Sequence, residues 1–411
     1  MAYSENFNGY TAYKVQSGLG VQASGADAKV LRQTGGNGTR MTKANTESKE
    51  VRRDGLSTRG RHGIQNVSGA FTHELSVGGY DDILEAVIRG TWSAADLQID
   101  ESDFTSITTG ANTIVLAAGS PITLGLKVNN IIRLTNHSSA GNNNRNLRIT
   151  GLSSTTITVA ETLTVNAVAD TDCEITRPGR VLINPGAGNL VKRYFTVEEH
   201  EYDLDRSELS TDCSWSSFKL TMAPNGLIDF ETALAGTGQF DALDTASSPF
   251  FTSPVTSTGD PLAVVEATIR MGGVDIVDLT SFDLMVDCQT QAPPVITKAT
   301  SPYAPALFTG TELVTMNLTM LRKDMQLLAD FIDETPFSLH VLLAENEAEP
   351  ASFISFAVPN FTLGSVDKSG LTKQGGPRTQ TIAIPPALIG IDNTGAGYDA
   401  TAVAIQVSNA T

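Results

Sequence analysis

One pattern of apolar residues occurs twice in this chain and leaves few architectures open to it. Phe71, His73, Leu75 and Val77 alternate with Thr72, Glu74 and Ser76, the period-two signature of a strand buried on one face. Gly78-Gly79 ends that run. Ile83, Leu84, Val87 and Ile88 then fall at i, i+1, i+4 and i+5, the single apolar stripe of a short helix. Asp81 and Asp82 stand at its N-terminal end, where the helix dipole favours an acid. Far downstream, Val314, Met316, Leu318 and Met320 alternate in the same way, and Leu327, Leu328, Phe331 and Ile332 repeat the stripe behind Asp324. The strands are offset by 243 positions and the helices by 244, so one residue was added at the turn. Phe337 to Leu342 supplies a strand after the second helix. A strand, turn and short helix used twice predicts a mainly β protein with two β-sandwich domains, each flanked by one short helix.

Other strands surround each copy. Phe218 to Met222 and Leu227 to Leu234 meet through Pro224-Asn225-Gly226, a strong hairpin signal. Val264 to Met271 and Val274 to Val277 meet at Gly272-Gly273, and Phe282, Leu284 and Val286 alternate with polar neighbours. Between the copies lies a stretch rich in Thr, Ser and Asn, with strands at Thr113–Leu116, Ile131–Thr135, Leu147–Ile149 and Thr156–Val159 and a loop tip at Asn142-Asn143-Asn144. It reads as a small all-β module inserted into a loop of the first copy, leaving at Arg177-Pro178-Gly179; exposed tips tolerate such insertions because the host core is untouched. The expected division is an arm and long loop over 1–62 and a first domain over 63–96 and 181–245. The inserted module takes 97–180, and a second domain runs over 260–411.

Charge is unevenly distributed. The 411 residues carry a net −17, but residues 1–62 hold ten Lys and Arg against five acids, which makes that segment +5 and leaves −22 on the rest. Arg40, Lys43, Arg52, Arg53, Arg59 and Arg61 are the cations of the expected arm, placed to dock electrostatically on a neighbouring copy. An acidic body does not grip nucleic acid or anionic lipid, both of which need clustered cations. Cys173, Cys213 and Cys288 are too few for a disulfide framework and leave an odd thiol, as expected in a reducing compartment. Met1 to Glu5 show no secretory signal, and no run of 18 apolar residues occurs, so no membrane partner is expected.

No catalytic template fits. His62, His73, His137, His200 and His340 are scattered, and the cysteines are not spaced for zinc. There is no phosphate-binding loop and no nucleophile elbow, and Gly18-Leu19-Gly20 lacks the preceding buried strand a dinucleotide fold needs. No metal or cofactor is therefore expected. The most pointed cluster is Glu199, Glu201, Asp203 and Asp205, which alternate with His200, Tyr202 and Leu204 and would share one face of a strand. A calcium loop is ruled out by Glu208 and Ser214 standing where glycine and a bidentate acid belong. Four like charges on one strand face must be wet, so the series reads as a solvated acidic face. Asp275, Asp278, Asp283 and Asp287 form a second series, and the sharper reading is that both line a shared channel.

Several segments resemble a known family. Tyr13-Lys14-Val15-Gln16-Ser17-Gly18-Leu19-Gly20 is similar to the opening of tail tube proteins of long-tailed bacteriophages, although Gln16 stands where an acid is usual. Glu50-Val51-Arg52 and Val67-Ser68-Gly69-Ala70-Phe71 resemble the same family, as does Val274 to Phe282. The resemblance implies a structural virion protein rather than an enzyme, made in the host cytoplasm, with tail-tube-like β-sandwich domains whose strands curve round a lumen. Single-domain relatives form hexameric rings, so two copies per chain imply a trimer with pseudo-sixfold symmetry. Head-to-tail stacking of such rings gives an open filament. The implied partners are further copies and the tape measure, tail terminator and distal tail proteins, with double-stranded DNA passing without being gripped.

The resemblance also implies that Glu199, Glu201, Asp203, Asp205, Asp275, Asp283 and Asp287 face the lumen, and that the basic arm bridges subunits. A cationic wall would hold DNA by about 5–8 kcal/mol per protein, and summed along many rings that would arrest the genome. An acidic wall lets it slide. The alternative expectation is a host- or carbohydrate-binding virion protein that uses the 97–180 module.

Overall fold

The computed structural model describes residues 3–94, 96–186, 188–296, 302–373, 375–391 and 397–410. Met1 and Ala2, at the head of the expected arm, lie outside the described residues. The protein is 46% strand and 6% helix, so its cores are closed almost entirely by sheets.

The chain opens with β1 (Gly9–Val15), β2 (Lys29–Val30), β3 (Gly35–Thr46) and β4 (Arg61–Glu74), then α1 (Asp81–Ile88). Eight short strands follow: β5 (Leu97–Ile99), β6 (Ser106–Thr109), β7 (Thr113–Ala117), β8 (Ile131–Thr135), β9 (Leu147–Leu152), β10 (Thr156–Val159), β11 (Asn166–Asp170) and β12 (Glu174–Arg177). Next come β13 (Arg180–Ile183), β14 (Phe195–Glu201), β15 (Arg206–Met222), β16 (Asp229–Leu243) and β17 (Val255–Thr256). The last part holds β18 (Ala267–Met271), β19 (Val274–Asp275), β20 (Leu279–Asp287), β21 (Leu313–Leu321) and α2 (Gln326–Ile332). It ends with β22 (Phe337–Ala344), β23 (Phe353–Phe361), β24 (Ser365–Lys368), β25 (Thr379–Ile384) and β26 (Ala404–Ser408).

These strands form three sheets of twelve, eight and six members. Both copies of the repeated pattern form as expected: β4 leads into α1 and β21 into α2. The hairpin at Asn225, whose φ of 62° needs the left-handed region asparagine tolerates, joins β15 to β16.

The long β15 organises the largest sheet. Its first half pairs with β14 and its second half with β20, both along one edge, while β16 runs along the other. The register shifts at Asp212 (φ 56°), within the stretch paired with β14, and again at Ser216, between the two partners. One buried cluster runs through this sheet, α1 and the six-stranded sheet; Phe218 of β15 meets Phe356 of β23 at 6.2 Å between ring centroids. The eight short strands enclose a cluster of their own, from Ile99 to Ile175. Polar contacts bolt that unit to the six-stranded sheet. Buried Gln406 donates to the carbonyls of Ile131 and Pro178 and accepts from the Ile131 amide, and Arg133 donates to the Ala351 carbonyl.

The segment expected as arm and loop holds β1, β2, β3 and the start of β4, which together take 23 of its 62 residues. Ala12 and Tyr13 of β1 are buried, and the strand pairs with β14 along its whole length. A seven-residue strand with few large apolar groups was hidden by the basic, glycine-rich sequence around it. Gln16, just beyond β1, is buried. With its amide oriented so that Nε2 donates to Asp212 Oδ1 (2.9 Å), Oε1 accepts from Thr196 Oγ1 (2.9 Å). An acid at position 16 would set two carboxylates against each other, which accounts for the amide at this point.

His73 is fixed within the core. Nδ1–H donates to the Arg32 carbonyl (2.8 Å) and Nε2 accepts from Thr232 Oγ1 (2.9 Å). Burial pushes its pKa down to about 4, outweighing the Arg32 carbonyl, which favours the cation. Protons therefore bind the unfolded chain more readily below its free value near 6.5, and stability is full above that pH and lost on the way down to about 4. The expected loss from this residue is about 3 kcal/mol when complete. Denaturation series across that window should show a shallower decline for His73→Gln; equal slopes would refute the assignment.

Candidate functional site

Eight strands of the largest sheet lie edge to edge in the order β3, β4, β16, β15, β20, β21, β25, β24. The first four come from the first copy and the last four from the second. One face of this surface is core: Phe71, Phe230, Phe218, Leu284, Met316 and Ile382 all point inward. The alternation that buries them sends their neighbours outward. The open face therefore carries Ser68, Thr72 and Glu74, then Asp229 and Glu231, then Ser217, Lys219 and Thr221. It continues with Asp283 and Asp287, then Thr315, Asn317 and Thr319, then Thr381. Asp367 closes the far end and Arg40 the near end, opposite Thr381 and Ser68 respectively. Six acids (Glu74, Asp229, Glu231, Asp283, Asp287, Asp367) against Lys219 and Arg40 leave −4 on a surface otherwise built mainly of short hydroxyl, amide and alanine side chains, with Met285 between Asp283 and Asp287.

The expected acidic residues divide between different places. Asp283 and Asp287 are on the open face; Asp283 accepts from Thr221 Oγ1 (2.9 Å) with Lys219 at 3.7 Å. The four acids expected on one strand face are not so arranged, because β14 stops at Glu201. Asp203 and Asp205 sit in the turn to β15, with Asp205 at φ 49°. Asp203 accepts from the Glu5 amide (2.9 Å), and Glu201 is exposed opposite Arg206. Glu199 is not wet. Its carboxylate accepts from the amide of Thr39 and from Thr39 Oγ1, and burial raises its pKa against those two bonds. Asp275 lies in the six-stranded sheet and bridges Arg148 and Arg270, each at 3.1 Å. Burial pushes its carboxyl up, but the two guanidinium groups hold it below the ordinary range. A period-two pattern shows which residues alternate but not where a strand ends, and four alternating acids were carried past the turn.

Glu74, Asp229, Glu231 and the threonine rows were missed. Their signal was present as the polar partners of the alternating runs, passed over because the apolar half of each run was used to find the core.

The cations form a structure of their own. β3 and β4 make a long hairpin whose outer half projects from the sheet. Arg40, Lys43, Arg52, Arg53, Arg59 and Arg61 are all exposed on it, and Arg52 pairs locally with Asp54. The thiols are inert. All three are buried, and burial pushes Cys173 and Cys288 up to about 12. Among the described residues, no group of His, Cys, Asp and Glu is placed to hold a metal ion, and no helix is long and apolar enough to cross a membrane.

A broad, open, polar sheet face, end strands that have no further strand partner among the described residues, and a projecting basic hairpin define a β-rich structural protein. The chain matches the model of the phage tail tube protein family over residues 7–395, and it belongs to that family. It is a structural component of the virion tail, one that assembles with itself and other tail proteins into a tube. No curated protein matches the chain.

Proposed function

We propose that the open eight-strand face is the inner wall of the tube and that three copies close each ring with pseudo-sixfold symmetry. The observation that carries this reading is the strand order, four from each copy in one continuous surface whose end strands have no further strand partner among the described residues. Three such surfaces make 24 strands, which at about 4.8 Å between neighbours close on a backbone diameter of about 37 Å before strand tilt widens it. A wall of −4 per chain, set among hydroxyl and amide groups, repels the phosphate backbone instead of binding it, so DNA passes during ejection. In this reading the two four-strand groups are the two tube-like domains, and the 97–180 module decorates the outside. Asp283 and Asp287 supply wall charge, whereas Glu199, Asp203 and Asp275 act chiefly in holding elements together.

Electron microscopy of the purified chain should show rings or tubes with threefold symmetry and a central hole; a monomer at every concentration would overturn the reading. A finer test concerns the wall. Glu231→Lys, Asp283→Lys and Asp287→Lys together add three cations where three anions stood, changing the face from −4 to +2. Tubes should still assemble, and DNA ejection should slow at least tenfold at low salt with recovery at high salt, because phosphate contacts weaken steeply with salt. Ejection at the normal rate would remove these residues from the lumen.

A further inference from the structure

The two helices carry the same apolar stripe but are not equally covered. In α1, Ile83, Leu84, Val87 and Ile88 are at most 1% exposed. In α2 no residue is fully buried: Leu327 and Phe331 are half-buried against the main core, whereas Leu328 is 38% exposed and Ile332 is 70%. The difference lies in what stands beyond the neighbouring strand. β15 is flanked by β20, and the two ends of the segment that connects β20 to β21 close over α1. Cys288 Sγ–H donates to the Val87 carbonyl at 2.7 Å. Arg89, at the end of the helix, donates to the Gly310 carbonyl at 3.0 Å and pairs with Glu312 at 3.5 Å. β24 occupies beside α2 the place that β15 occupies beside α1, and no strand among the described residues flanks it on its outer side.

The strand order identifies the missing element. In β3-β4-β16-β15 and β20-β21-β25-β24, each group of four follows the same chain order, so β20 is the counterpart of β3 and β24 of β15. The β15–β20 junction is therefore the internal form of a contact between β24 and the edge of β3 that has no strand partner among the described residues, and within one chain those edges lie at opposite ends. Only a second copy can bring them together. The charges agree. Residues 40–62 of the β3–β4 hairpin hold seven cations and three acids, +4, while residues 324–334 hold Asp324, Asp330, Asp333 and Glu334 and no cation, −4. Val51, 97% exposed at the hairpin tip, offers an apolar group to Leu328 and Ile332.

We propose that the β3–β4 hairpin of one copy docks on the α2 stripe and the β24 edge of the next, repeating between chains the contact that buries α1 within one. This rests on the ring reading above and assigns the surface that closes the ring.

The test is a charge-reversal cycle read by sedimentation velocity. Arg52→Glu/Arg53→Glu/Arg59→Glu takes the hairpin from +4 to −2 and sets acid against acid, and Asp330→Lys/Asp333→Lys/Glu334→Lys takes residues 324–334 from −4 to +2 and sets base against base. Either set alone should reduce assembled material at least tenfold, and the two combined in one chain should restore it. Leu328→Ser/Ile332→Ser should also block assembly while leaving the melting temperature unchanged, since both side chains are exposed in the single chain. Unimpaired assembly of either charge set, failure of the combined chain to recover, or normal assembly of the serine variant would each overturn the docking surface and leave the ring reading standing. Absence of rings from the unaltered chain would instead overturn the ring reading, and this contact with it.

Discussion

Arg89→Met is expected to destabilise the protein by about 3–5 kcal/mol, because it removes one partner of a buried ion pair and strands the other. Arg89 caps α1 with φ 57° and is 6% exposed. It donates to the Gly310 carbonyl and pairs with Glu312, so one side chain fastens the first copy to the loop before β21. Asn184 Nδ2 also donates to Glu312, at 2.8 Å. Burial already raises the Glu312 pKa, against the Asn184 bond and the Arg89 charge. Methionine keeps much of the side-chain volume and adopts the same backbone, so the measured loss isolates the uncompensated carboxylate.

The sign with pH follows. An acid whose folded pKa is raised destabilises the fold as pH climbs from its unfolded value near 4.5 through the folded one. The deficit of the variant should therefore be largest at neutral pH and shrink as pH falls towards 4.5. Arg89→Met/Glu312→Gln should recover most of the loss. Chemical denaturation midpoints at pH 7 and pH 5, with an unchanged denaturant slope, decide the matter; equal deficits at both would show that the carboxylate is not the cause.

Trp215→Ala is expected to cost about 3–5 kcal/mol, the range for deleting a fully buried aromatic side chain. Trp215 of β15 is 1% exposed and meets Phe71 of β4 at 5.7 Å, Tyr13 of β1 at 5.9 Å and Phe195 of β14 at 6.3 Å, all in edge-on geometry. Each such pair adds about 0.5–1.5 kcal/mol beyond area burial, and here three converge on one ring. Its loss should also loosen β1, seen as faster amide exchange at Ala12 and Tyr13. The indole Nε1–H has no hydrogen-bond partner among the described residues. Trp215→Phe should therefore lose volume but no polar contact, and cost less than half as much. If the alanine variant stays within about 1 kcal/mol of the parent, the ring cluster is not the anchor argued here.

Much of the architecture was legible locally. The alternation at Phe71–Val77 and Val314–Met320, the turn at Asn225 and the two helix stripes all depend on residues a few positions apart, and all formed where expected. The site was less so. Asp283 was placed on an outward strand face correctly by alternation, but Asp275 alternates just as well and is consumed by Arg148, 127 positions away. Glu199 is covered by Thr39, 160 positions away. Local charge patterning cannot register a partner brought in by distant strand pairing.

α1 and α2 mark where that boundary lies. From sequence alone came the strand content, the repeated unit, the polarity of each face and the uneven charge, because these follow from backbone periodicity and side-chain chemistry within one element. Only the tertiary structure decided that β15 divides its edge between β14 and β20, that eight strands from two copies form one open surface, and that one helix is sealed while half of its equivalent's stripe is exposed. An amphipathic stripe records that a face must be covered. What covers it depends on long-range strand pairing, and in α2 the described residues cover Leu327 and Phe331 in part and leave Leu328 and Ile332 exposed.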